Sequence, residues 1–153
     1  MTSTLSATSV WLLIILSGCA AHRPRASVHD SEPGIAQFQS YCAACHQYDG
    51  QGAGDAPPLD RSPWVTGPDE RLIKIVLHGV RGPMQIAGIA YDREMPGFGP
   101  ILSDADVASL LSFVRRRFGG PGEPITPEAV ARVRAANRLR TDYWSVEELL
   151  KQP

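Results

Sequence analysis

Cysteine is scarce in this sequence, three in 153 residues, whereas the disulfide frameworks that staple small secreted domains use cysteines in several pairs. Neither sign of charge is in excess: 15 Lys and Arg face 16 Asp and Glu, for a net charge of −1. That balance argues against a dedicated nucleic-acid binder, which carries a basic surplus. No apolar run reaches the roughly 18 residues that a membrane-spanning helix requires. Strand signals are few, and there is no βαβ alternation and no internal repeat. Gly (14) and Pro (13) are plentiful, while 43% hydrophobic and 20% charged residues exclude a disordered chain. A loop-rich chain of one-domain length needs a staple. With disulfides set aside, a bound cofactor is the expectation.

The longest apolar stretch, Val10 to Leu16, is followed by Ser17, Gly18 and Cys19. Seven apolar residues near the N-terminus, closed by small ones, predict the hydrophobic region and cleavage site of an export signal over residues 1–18. The order Leu16-Ser17-Gly18-Cys19 resembles a bacterial lipobox, in which Cys19 would be lipidated and would anchor the chain to a membrane through its acyl chains. Residues 1–18 hold no Lys or Arg, so an ordinary secreted leader is the alternative. Residues 19–31 then read as a lipidated N-terminus and tether, 32–120 as the main domain and 121–153 as a helical extension.

Along the mature chain, Asp30 or Ser31 can cap a helix starting near Glu32-Pro33, with Ile35, Phe38 and Tyr41-Cys42 on its apolar face. Residues 49–67 are turn-rich. Pro68-Asp69-Glu70 opens a second helix with Leu72, Ile75 and Val76 as its stripe, stopped at Gly79. Residues 79–102 read as irregular. Ser103 with Asp106 resembles a capping box, with Leu102 and Val107 as staple. Val107, Leu110, Leu111, Val114 and Phe118 line one face of that helix up to Gly119-Gly120. Thr126-Pro127 and Ser145-Val146 start short helices in the extension. The predicted class is all-α, with three to four helices around a central cofactor.

Cys42-Ala43-Ala44-Cys45-His46 is the attachment sequence for c-type haem. Residues three apart on a helix share a face, so both thiols can reach the two vinyl groups of one porphyrin. His46, directly after, can then ligate the iron. A thioredoxin-type redox pair would need a βαβ setting, and a structural zinc site would need a second ligand pair that His78 alone does not supply. A Cys42–Cys45 disulfide would leave His46 unexplained. The cysteines are then fully assigned: one to lipid, two to thioethers. For the sixth iron ligand, commonly Met in electron carriers, the candidates are Met95, 49 residues beyond His46 and stiffened by Pro96, and Met84. Met95 is preferred, and core filling is the ordinary role of any Met.

With these motifs in view, residues 34–120 resemble a monohaem class I cytochrome c. Gly34 to Phe38 resembles the N-terminal helix that crosses the C-terminal one. Asp49 to Gly52 and Ala56 to Leu59 resemble the loop after the haem motif. Met95 to Phe98 followed by Leu102 to Arg115 resembles the axial-Met segment and last helix. The resemblance implies that a proline carbonyl accepts the His46 Nδ1–H, and Pro58 is the residue assigned. A finer likeness, carried by His78 to Met84, Gly88, Tyr91, Met95-Pro96 and Ile125 to Arg134, is to cytochromes that accompany quinoprotein (PQQ-dependent) alcohol or sugar dehydrogenases. It implies one-electron transfer through one covalent haem c, between a dehydrogenase donor and an oxidase or cytochrome acceptor, on the periplasmic side of a membrane.

Three further residues are candidates for the haem edge: Trp64 and Tyr91, by packing or by a hydrogen bond to a propionate, and Arg81 as a partner for a propionate; an aromatic core with a solvated arginine is the alternative reading. His78 reads as a capped surface histidine. From Arg115 to Arg140 there are seven arginines and two acids, which read either as a docking patch for an acidic partner or as a solvated face. No general acid/base constellation is present, so the expectation is an electron carrier rather than an enzyme. The alternatives are a haem-based small-ligand sensor, the cytochrome subunit of a dehydrogenase complex, and a structural lipoprotein without cofactor.

Overall fold

The computed structural model describes residues 32–151. The expected export signal, Cys19, the tether and the capping residues Asp30 and Ser31 lie outside the described residues.

The first helical segments are α1 (Ile35–Tyr41) and α2 (Ala43–His46). They are joined at Cys42, whose N–H donates to Phe38 O and whose carbonyl accepts from His46 N–H, both at 2.9 Å. The C-x-x-C-H sequence is therefore one helical turn continuing α1. Helix α1 begins later than the Glu32-Pro33 expectation because Gly34 caps it from the left-handed region at φ 92°. A side chain at Gly34 would strike the Ser109 carbonyl and Phe113 Cβ. The backbone of α1 thus rests directly on the helix it crosses. Phe38, almost fully buried, lies 5.4 Å between ring centroids from both Phe113 and Phe118.

Ser62 caps the short α3 (Pro63–Thr66), with Pro63 in its first turn. Helix α4 (Asp69–His78) opens on Asp69 and Glu70 and buries every residue from Leu72 to Leu77. It stops at Gly79, φ 79°, where the Met95 carbonyl and the Tyr143 ring leave no space for a Cβ. Helix α5 (Asp104–Val114) carries the expected capping box, Asp106 N–H donating to Ser103 Oγ at 3.2 Å and Ser103 N–H to Asp106 Oδ2 at 3.1 Å. It runs into a π-helical turn, Arg115–Gly119, that turns Phe118 into the core.

The all-α expectation needs correction. The stretch read as irregular contains β1 (Gly79–Arg81), β2 (Met84–Ile86), β3 (Ile89–Tyr91) and β4 (Met95–Pro96), and the C-terminal segment adds β5 (Trp144–Ser145). One sheet has the order β4-β1-β5, β1 antiparallel to β4 and parallel to β5; β2 and β3 form a separate hairpin. The hairpin turns at Ala87 and Gly88, both at positive φ (50° and 81°), as a two-residue turn of right-twisted strands demands. Strands of two or three residues are too short for alternation to show in the sequence. Packing of Val80, Met84, Ile86 and Trp144 in one buried cluster holds them instead. The protein is mainly helical with these small sheets.

The C-terminal segment shares the core. Thr126 caps α6 (Pro127–Ala136), which places Val130 and Val133 in the main cluster with Ile125. Ser112 Oγ pins the entry to this segment, accepting from Ile125 N–H at 2.9 Å and donating to Ile125 O at 3.2 Å. Ser145 and Glu148 form a second capping box at the start of α7 (Val146–Leu150).

Gly34→Ala should destabilise the protein by roughly 2–4 kcal/mol, because overpacking and a strained φ act together; chemical denaturation measures it. The Glu148 carboxyl is held at about 2, below its ordinary 4.5, first by the Ser145 N–H and then by the Arg140 guanidinium. A depressed carboxylate stabilises the fold above its unfolded value and loses that contribution as pH falls towards the folded one. The stability difference between the native chain and Glu148→Gln should therefore be constant above about pH 5 and shrink between pH 4.5 and 2. Thermal melts across that range read it.

Candidate cofactor site

A largely apolar cleft of about 1100 Å³, its open mouth included, runs through the middle of the molecule. Its wall takes Cys42, Cys45 and His46 from the first helical turn, Pro57 and Pro58 from the following loop, Trp64 from α3, and Tyr91 and Met95 from the sheet region. Seven of the eight sequence-predicted residues of the described chain are thus brought together. Arg81 is not. On β1 the side chains alternate, so Val80 faces the cleft while Arg81 points to solvent.

His46 is buried, and its Nδ1 lies 2.9 Å from the Pro57 carbonyl. The assignment of that carbonyl to Pro58 is corrected here by one residue. The loop closes tightly, with Gly52 N–H on His46 O at 3.0 Å and Leu59 N–H on Gly50 O at 2.7 Å. This brings the Ala56-Pro57 backbone against Gly52 and turns the Pro57 oxygen towards the imidazole. Burial pushes the His46 pKa down, with the Pro57 bond opposing it. The ring is neutral at pH 7, with Nδ1 as donor and the Nε2 lone pair free for a metal.

Cys42 is buried and Cys45 exposed, and neither is in a disulfide. Burial, then the neighbouring Cys45, pushes the Cys42 thiol up to about 12. A thiolate-based redox or zinc site needs the opposite shift. Among the described residues no group of three or more His, Cys, Asp or Glu could hold a metal ion. The donor set is therefore one buried imidazole, two thiols three residues apart and thioether sulfurs, all on an apolar cleft. These residues fit a haem and do not fit a zinc ion.

Both candidate methionines line the cleft. Met84 is buried within the cluster around Trp144, whereas Met95 is half-buried and touches both hydrophobic clusters. Trp64 carries the Arg71 guanidinium 4.8 Å from its ring, and Arg71 donates to Pro63 O at 2.8 Å. His78 is half-buried rather than on the surface, with its ring edge towards Trp144 and its Nε2 without a protein partner. The sequence reading missed Asp55 and Arg93, an exposed pair 3.6 Å apart whose residues border the cleft mouth. Neither sits in a motif, so no local signal could have found them.

Much of the basic stretch is paired within the molecule. Arg115 pairs with Asp69 and caps Val65 O and Gly67 O. Arg116 pairs with Glu32, Arg134 with Asp104 and Arg140 with Glu148. Four of the seven arginines between 115 and 140 are thus committed to holding loops and helix ends.

The family model described as cytochrome C oxidase, cbb3-type, subunit III matches residues 30–114, more than half of the chain. The chain is 32% identical over 110 residues to cytochrome c-552 of Thermus thermophilus, covering 65% of this chain and 83% of that protein. It is 34% identical over 109 residues to the cytochrome c subunit of the quinone alcohol dehydrogenase of Gluconacetobacter polyoxogenes, covering 68% of this chain but 23% of that subunit. Identity to the cbb3-type cytochrome c oxidase subunit FixP of Azorhizobium caulinodans is 31% over 106 residues, covering 68% of this chain and 35% of the relative. The chain thus spans most of the free cytochrome and about a quarter to a third of the two complex subunits. On the family match the chain belongs to the cytochrome c family, haem-binding electron carriers that perform no substrate chemistry of their own.

Proposed function

We propose that the protein carries single electrons through one haem, attached covalently at Cys42 and Cys45 and ligated by His46 and Met95. The observation that carries this reading is the 2.9 Å contact from His46 Nδ1 to Pro57 O at the wall of the apolar cleft. It fixes the tautomer and orientation that ligation needs. A c-type haem held here supplies a ferric/ferrous couple whose potential is raised by a Met ligand and by a dry, low-dielectric setting. The chain's own residues do the rest. Cys42 and Cys45 would hold the haem as thioethers, each S–H adding across one vinyl double bond with nothing released. The Pro57 carbonyl holds the Nδ1 proton. Trp64, Tyr91 and the α4 side chains Leu72, Ile75 and Val76 exclude water from the cleft. With His46 and Met95 both holding the iron, no position would be left for a small ligand, which favours electron transfer over sensing.

The donor in this reading is a periplasmic dehydrogenase, and the acceptor an oxidase or a second cytochrome. Support comes from relatives that are themselves dehydrogenase and oxidase subunits and from the residue likenesses of 78–95 and 125–134. Export, and lipidation at Cys19, place the domain on the periplasmic side of a membrane. Among the described residues no helix is long and apolar enough to cross one.

Intact-mass measurement of protein matured in a haem-attaching host should give the processed chain plus one haem, with neither Cys42 nor Cys45 open to alkylation. Bare thiols there would refute the covalent assignment. The oxidised protein should show a Met–iron charge-transfer band, abolished in Met95→Ala together with a fall in reduction potential, and retained in Met84→Ala. Loss of the band in Met84→Ala alone would move the ligand to that residue.

A further inference from the structure

Resting on the His46/Met95 ligation just proposed, the geometry points to a second role for the C-terminal segment: it clamps the Met95 strand in place, with Trp144 as the positioning residue. Met95 sits on a strand of two residues, too short to be held by its own hydrogen bonds. Its register partner on β1 is Val80, and the partner of Val80 on the other side is Trp144. The C-terminal strand therefore backs the same β1 residue that Met95 leans on. Trp144, Val80 and Met84 are buried in one cluster against which Met95 packs.

A second grip acts on the residues just after Met95. Arg134 of α6 donates to Gly99 O at 2.7 Å and to Leu102 O at 2.9 Å, while its Nε is tied to Asp104 at 2.7 Å. From the inner side, Phe98 N–H and Gly99 N–H donate to Val76 O and Leu77 O at 2.8 and 3.0 Å. The segment from Met95 to Leu102 is thus fixed between α4 and the C-terminal segment.

Trp144 is itself immobilised. The Arg140 guanidinium lies 3.5 Å from its ring centroid and the Lys74 ammonium 5.2 Å. Arg140 in turn donates to Tyr143 O at 2.7 Å and to Glu148 Oε2 at 2.9 Å. The Tyr143 ring covers Gly79, against which the Met95 carbonyl also packs. Local opening of a strand this short is otherwise among the cheapest motions a fold has. Backing it on both sides keeps the sulfur on the metal and external ligands off.

The test uses the full haem-loaded protein and four variants: Trp144→Ala, Trp144→Phe, Arg134→Gln and Met95→Ala. Two readouts matter that a general loss of stability does not move at a temperature well below melting: the intensity of the Met–iron charge-transfer band and the rate of cyanide binding to the oxidised form. Trp144→Ala should speed cyanide binding at least about tenfold, equivalent to about 1.4 kcal/mol less hold on the closed state. Its band should weaken, and Trp144→Phe should restore both readouts. Arg134→Gln should shift them in the same direction, and it decides the matter if Trp144→Ala does not fold. Native band and cyanide rate in the folded variants, even with a lowered melting temperature, would overturn the clamp. If Met95→Ala leaves the native spectrum unchanged, the ligation itself fails and the clamp with it. Loss of the band in Met95→Ala with no response at Trp144 and Arg134 refutes the clamp alone.

Discussion

The apolar cleft through the centre is the constraint on which the remaining architecture depends. Helices α4 and α5 turn Leu72, Ile75, Leu110 and Val114 onto its wall, which makes the wall apolar and favours an apolar occupant over a hydrated ion. On the reading proposed above, the residues along that wall share one logic: two thiols on one helical turn would tether a haem, the imidazole of the same turn would hold its metal, and Pro57 O aims that imidazole.

Legibility followed the length of the pattern. Helices α4 and α5 were readable from apolar residues of helical period, and the starts of α5 and α6 from the capping residues Ser103 and Thr126. The cofactor turn was readable because C-x-x-C-H is local, and its chemistry does not depend on what the rest of the chain does. The five strands were not readable. At two or three residues each, their pairing is set by contacts such as Val80 with Met95 and Trp144, positions 15 and 64 residues away. The proline carbonyl was misplaced by one residue for a related reason: Pro57 and Pro58 are equivalent in sequence, and only the closure of the loop through Gly50 and Gly52 selects between their oxygens.

Arg81 failed as a cleft residue on a finer point. Its neighbours Val80 and Gly82 both border the cleft, so proximity in sequence was a fair guide to place but not to direction. Direction is fixed by strand alternation, and the strand itself was invisible. His78 shows the converse. It sits at the predicted helix end, yet residues 140–144 fold back across it and take it out of solvent, with burial first and then the Arg140 and Arg134 charges lowering its pKa.

Charge counting is the instructive failure. Seven arginines against two acids over residues 115–140 suggest a strongly positive face, but the relevant acids lie elsewhere in the chain. Asp69, Glu32 and Asp104 come from before the run, and Glu148 from beyond it. A guanidinium that is also bonded to backbone carbonyls, as Arg115 is to Val65 and Gly67 and Arg134 is to Gly99 and Leu102, is spent on geometry. Its rigid fork satisfies the last carbonyls of a loop or helix in a way a lysine could not. Arginine density in this chain therefore reports how many loops had to be fastened around the cofactor, and only the residues left over, Arg117, Arg132 and Arg138, retain charge that no ion pair of the described structure neutralises. Charges that look clustered along the chain are thus dispersed into pairs in space.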